Sequence, residues 1–184
     1  MKNSIDYPYL IPAKNLLESK DIRRYDFHIH TNYTDGKASV RQVFEKAIEF
    51  ELEAIAFTEH TESWHHADPA WFTSFAKEIR ECREIFKNKI KAYIGIEAPA
   101  ISFDGELGAT KEMFDEAEFI LGAAHRYPGI EGRKVSELGN NEAIDLEFRT
   151  LMGLATNPVI HSIAHMGGTC SKYCTPFPRH LMRE

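Results

Sequence analysis

Five apolar runs in this chain each end on a histidine or a glutamate. Residues 25–31 carry His28 and His30, residues 53–58 lead to His60, residues 90–96 to Glu97, residues 118–124 to His125, and residues 159–164 to His165. Between them lie stretches with helical periodicity. Residues 40–52 place Val40, Val43, Phe44, Ala47, Ile48 and Leu52 on one face, with Ser39 as an N-cap. Residues 71–86, 111–117 and 141–155 read as further helices, 101–110 as a turn or small hairpin around Asp104-Gly105, and 177–184 as a helix just begun. Strands alternating with helices imply a parallel sheet, because parallel neighbours need a crossover element between them. Continuous apolar runs fit strands buried on both faces. Such an α/β sheet either opens as a doubly wound fold or closes as a barrel, and in both cases the C-terminal strand ends line the functional crevice.

Composition narrows the class of function. The 184 residues carry 22 basic and 28 acidic groups, a net charge of −6. With no cationic excess to release phosphate counterions, general nucleic-acid binding is not expected. No run of about 18 apolar residues is present, so no membrane span is expected. Asp6 and Pro8 interrupt the start, which argues against a signal peptide, and three cysteines (Cys82, Cys170, Cys174) make a disulfide framework improbable. A reduced, cytoplasmic location follows as an expectation. Residues 1–24 read as an irregular lead-in, and 25–184 as one α/β domain.

His28-Ile29-His30 is the sharpest local feature. Strand residues i and i+2 face the same side, so both imidazoles can reach one ion. Neutral imidazole suits zinc, manganese or iron, and carboxylates complete such sites. Asp26, two residues earlier, is expected on the same face as an acceptor for an imidazole N–H. Asp35 is expected to bend back towards the strand mouth, with Gly36 permitting the turn. Glu97 ends its strand inside a parallel sheet, where carboxylates seldom sit unless paired or metal-bound.

Asp26-Phe27-His28-Ile29-His30-Thr31 with Tyr33-Thr34-Asp35-Gly36 resembles the first motif of the PHP (polymerase and histidinol phosphatase) family. Phe57-Thr58-Glu59-His60 is similar to the second, with Glu59 where the family more often has Asp; Gly95-Ile96-Glu97, Gly122-Ala123-Ala124-His125-Arg126 and Ile163-Ala164-His165 resemble the remaining three in order. The resemblance implies a distorted (β/α) barrel of the PHP type, represented here by about five of its seven strand–helix units. It implies two or three divalent metal ions: His28, His30 and Glu97 around the first, Glu97, His125 and His165 around the second, Asp35 and His60 around the third. The family's last strand ends in an Asp-x-His pair, and none follows His165 here. The chain therefore reads as a fragment, or as a homo-oligomer in which another subunit supplies the edge.

The implied activity is metal-dependent hydrolysis of a small phosphomonoester by a metal-bound hydroxide. Glu97 and Arg126 are the expected catalytic residues, Arg126 by gripping a phosphoryl oxygen. His66, in the loop after His60, is expected to line the substrate mouth. Two alternatives stand beside this reading: a C–N hydrolase of the amidohydrolase type, and a non-catalytic metal-binding module. His161 reads as a buried, hydrogen-bonded histidine, His180 as surface, Cys170 and Cys174 as incidental thiols, and Phe148 and Met152 as core.

Overall fold

In the computed structural model, which describes residues 24–62 and 70–183, the apolar runs become five parallel strands. They are β1 (Tyr25–Ile29), β2 (Ala54–His60), β3 (Lys91–Pro99), β4 (Phe119–Ala123) and β5 (Ser162–Ile163), hydrogen-bonded in that same order. The helices are α1 (Val40–Glu49), α2 (Trp71–Phe86), α3 (Lys111–Glu116), α4 (Asn140–Thr156) and α5 (Gly168–Tyr173). Strand order decides between the two architectures. A doubly wound sheet reverses direction at a switch point; this sheet never reverses, so right-handed crossovers keep the helices on one face and the sheet curls around the other. The result is a half-barrel.

The strands sort their side chains accordingly. Ile55, Phe57, Ile94, Ile96 and Ile120 point outward into the large core shared with Phe44, Phe75, Ile79 and Leu154 of the helices. Ala56, Phe119, Leu121 and Ala123 form a second cluster on the concave side, joined by Phe27 and Tyr93. Ser39 caps α1 through a reciprocal capping box with Gln42. The 101–107 segment turns at Gly105 (φ +80°) and returns as a single antiparallel bridge between Ala100 and Leu107.

Two expectations need correcting, and one further helix appears. Met152 is 40% exposed; the buried face of α4 runs through Ala143, Glu147, Thr150, Leu151 and Leu154, so a glutamate occupies the core where the methionine was expected. Residues 168–173 form α5, too short to show a period in the sequence. Asp26 does not support an imidazole. The β1–β2 ladder runs Asp26↔Ile55 and then Ile29↔Phe57, one extra residue on β1, which is a β-bulge. The bulge resets the alternation, so Phe27 and the two histidines all face the concave side. The Asp26 carboxylate accepts the His28 backbone N–H (3.1 Å) beside this irregularity. Residues 1–23 of the expected lead-in lie outside the described residues.

Candidate metal centre

All five strand ends deliver their polar side chains to one place. Glu97 is fully buried, and five imidazole nitrogens surround its carboxylate. His165 Nε2 is 2.8 Å and His125 Nε2 3.1 Å from Oε1, with His28 Nε2 at 3.3 Å. His60 Nδ1 lies 3.1 Å and His30 Nε2 3.3 Å from Oε2. His60 reaches this position because β2 and β3 pair His60 directly with Glu97. His165 reaches it from a left-handed backbone conformation (φ +27°), an uncommon posture for a residue with a side chain.

The loop after β1 brings in Asp35, whose oxygens lie 3.8 Å from His30 Nδ1 and 3.5 Å from His60 Nε2. The loop folds back so tightly that a Cβ on Gly36 would stand 2.3 Å from the His30 carbonyl oxygen, so glycine is required there by close approach. Buried Glu59 holds the loop from below. It accepts the Thr31 N–H (2.8 Å) and the hydroxyls of Thr31 and Thr34. Burial raises its carboxyl above the usual range, against those donors.

Glu62 is the residue that sequence reasoning missed. It lies just past β2, is 7% exposed, and its Oε1 accepts from His125 Nδ1 at 2.8 Å. A carboxylate can only accept there, so His125 Nδ1 donates to Glu62 and Nε2 faces Glu97, with a proton on both nitrogens when no cation is bound. An acidic residue two positions after a strand-end histidine was the available signal. Burial opposes charge on His125, yet the Glu62 and Glu97 carboxylates raise it to about 9. Burial also raises Glu97, but hydrogen bonds from His125, His165, His28 and His30 hold it far below the ordinary carboxylate range. Burial lowers His60, whereas His30 is raised, its burial outweighed by Glu97.

Four sets of three side chains place donor atoms within 4.8 Å of one another: His28, His30 and Glu97; His30, Asp35 and His60; His60, Glu62 and His125; and Glu97, His125 and His165. Every histidine and acidic residue expected as a ligand from the sequence falls in one of them. Arg126 is exposed beside His125, on the wall of a cleft of about 920 Å³ that Glu62 and Tyr127 also line. His66 lies outside the described residues. His161 is half-buried and stands away from the cluster; its Nδ1 accepts the Ile120 N–H (3.0 Å) and its ring stacks on Phe119. His180 is exposed, and all three cysteines are free thiols.

A family model of the PHP domain matches residues 26–169, which include every member of these sets. The chain belongs to the PHP family. Among solved structures, this PHP chain is similar to the histidinol phosphate phosphatase HisK of Lactococcus lactis, determined with zinc, L-histidinol and phosphate, at 20% identity and a TM-score of 0.64. The alignment covers 88% of this chain and 66% of that one, so the chain spans just under two thirds of the relative's length. A Listeria monocytogenes protein assigned as the histidinol phosphatase HisK matches at 14% identity and a TM-score of 0.62, with 87% of this chain and 75% of that one covered. At these identities the likeness is one of fold. No curated protein matches the sequence.

Proposed function

We propose that this PHP domain is a metal-dependent phosphoesterase acting on a small phosphomonoester. The observation that carries the reading is Glu97, a sealed carboxylate ringed by imidazoles from four other strand ends. Buried His30 Nδ1 and Glu62 Oε2 have no hydrogen-bond partner among the described residues. Buried polar atoms are normally satisfied, and cations would satisfy these, so the donor set fits divalent metal. His28, His30 and Glu97 would hold one ion, Glu97, His125 and His165 a second, and Asp35 with His60 a third. Mixed imidazole and carboxylate donors suit zinc, manganese and iron alike. Bound there, divalent ions supply Lewis-acid polarisation of a phosphoryl oxygen and lower the pKa of water.

The chain's own residues do the rest. Glu97 offers both oxygens across the cluster and neutralises charge between the two flanking sets. Glu62 fixes the tautomer and plane of His125. Arg126, at the cleft wall, would grip a phosphoryl oxygen through its planar fork. The cleft leaves space beyond it for the leaving group. The amidohydrolase reading calls for a bridging lysine at the centre; here a glutamate holds that position.

The test is metal content and turnover of the purified chain. Aryl phosphate and L-histidinol phosphate, each with added Mn²⁺ or Zn²⁺, are the substrates to try. Stoichiometric metal with metal-dependent phosphate release is expected. Bound metal without release of phosphate from any monoester would favour the non-catalytic module instead.

A further inference from the structure

Glu147 is a second deeply buried carboxylate, 1% exposed, on the inner face of α4 and outside all four donor sets. Its Oε2 accepts from the Tyr127 hydroxyl (2.6 Å) and from the Cys170 backbone N–H (2.5 Å). The backbone of Thr169 and Gly167 also favours the charged form of this carboxyl, against its burial. These donors come from two separate segments. Tyr127 is two residues past His125 in the loop leaving β4. Gly167, Thr169 and Cys170 form the turn and first residues of α5, directly after His165.

We propose that Glu147 is a positioning residue that sets the spacing of His125 and His165 across Glu97. The proposal rests on the metal-centre reading above. Apart from Glu147, His165 is held by the Ala164 N–H bond to the Gly122 carbonyl (2.9 Å) and by its own Nε2 against Glu97 Oε1 (2.8 Å). Strand β5 is two residues long and pairs with β4 at only Leu121↔Ser162 and Gly122↔Ile163. After it the chain turns through two positive-φ residues either side of Met166, His165 at φ +27° and Gly167 at φ +76°. A Gly168 N–H bond to the His165 carbonyl (2.8 Å) closes that turn locally but does not tie it to β4. Beyond the Ala164 bond, Glu147 links the turn to the loop after β4: one carboxylate accepts from both segments, so neither ligand-bearing loop can shift without breaking a buried hydrogen bond. An apolar side chain would fill the same space without desolvating a carboxyl group. What the carboxylate adds is the link between the loops.

The experiment uses the full chain and Co²⁺ as the probe, whose visible absorption reports coordination geometry. Three variants are compared: Tyr127→Phe, which keeps the ring and removes the donor; Glu147→Gln, which keeps part of the acceptor; and Phe44→Leu, a core change far from the centre as a matched control for destabilisation. Tyr127→Phe and Glu147→Gln are expected to weaken the last Co²⁺ taken up by about tenfold, the lower end of the range for outer partners of metal ligands, and to alter its visible band. Combining them should cost no more than Glu147→Gln alone. Phe44→Leu should lower the unfolding midpoint and leave both Co²⁺ readouts unchanged. If Glu147→Gln fails to fold, Tyr127→Phe still decides. Wild-type Co²⁺ affinity and spectrum in Tyr127→Phe would overturn the positioning role. A wild-type chain that takes up no Co²⁺ would instead overturn the metal-centre reading, and this inference with it.

Discussion

Glu97 and Glu147 are both sealed from water, yet their surroundings differ in kind. Glu97 faces imidazoles, which exchange protons near neutrality and can hand their lone pairs to a cation. Glu147 faces a phenol and a backbone N–H, which donate to it and stay uncharged near neutrality. Burial raises both carboxyls. The imidazoles reverse the effect at Glu97, while at Glu147 the neutral donors leave the carboxyl above the usual range. A buried carboxylate therefore does not by itself mark a metal centre; partners that can change protonation state do.

The largest expected effect tests the first half of that contrast. Glu97→Gln removes the charge that the flanking sets share, and bound metal should fall by more than the roughly 10- to 100-fold typical of losing an outer partner. Elemental analysis after desalting measures it; retention of full metal content would break the comparison. Glu62→Ala should cost about 10- to 100-fold in metal affinity, read by competition with a chelating dye, because His125 loses the acceptor on its Nδ1.

The pH dependence of His125 sharpens the contrast further. Its folded value of about 9 lies above the ordinary histidine range, so in metal-free protein its ion pairing stabilises the fold fully below about pH 6.5 and is lost as pH rises through 9. Metal must expel that proton. Calorimetry in buffers of different ionisation enthalpy should show proton release on Zn²⁺ binding at pH 7, with affinity rising towards pH 9; a pH-independent affinity would contradict it. The smallest effect belongs to Glu147. Its raised value means that its contribution to stability is complete below the free carboxyl value of about 4.3 and declines as pH rises through the folded value, by no more than about 1.4 kcal/mol per pH unit. Urea midpoints across that window should lose this component of the slope in Glu147→Gln.

Much of this was legible in the chain. Apolar runs ending on His60, Glu97, His125 and His165 announce buried parallel strands with polar tips, since burial on both faces leaves no other pattern. Periodicity alone left the open-or-closed question unanswered, because strand order is a long-range property; only the motif resemblance pointed to the barrel. Glu62 escaped notice because a loop carboxylate has no periodicity to betray it. Glu147 escaped because a lone acid on a helix face reads as solvated until Tyr127 and Cys170 are seen to fold over it. Asp26 was misplaced because strict period-2 counting cannot anticipate an extra residue.

That extra residue carries a lesson for anyone reshaping this scaffold. In an unbulged β1, a Phe27 turned towards the hollow of the sheet would force both neighbouring imidazoles to its back, among the helices. Shortening the strand by a single codon there would exchange chelators for hydrocarbon at the mouth while leaving the amino-acid content almost untouched, so insertions and deletions in this strand threaten the chemistry more than most substitutions do.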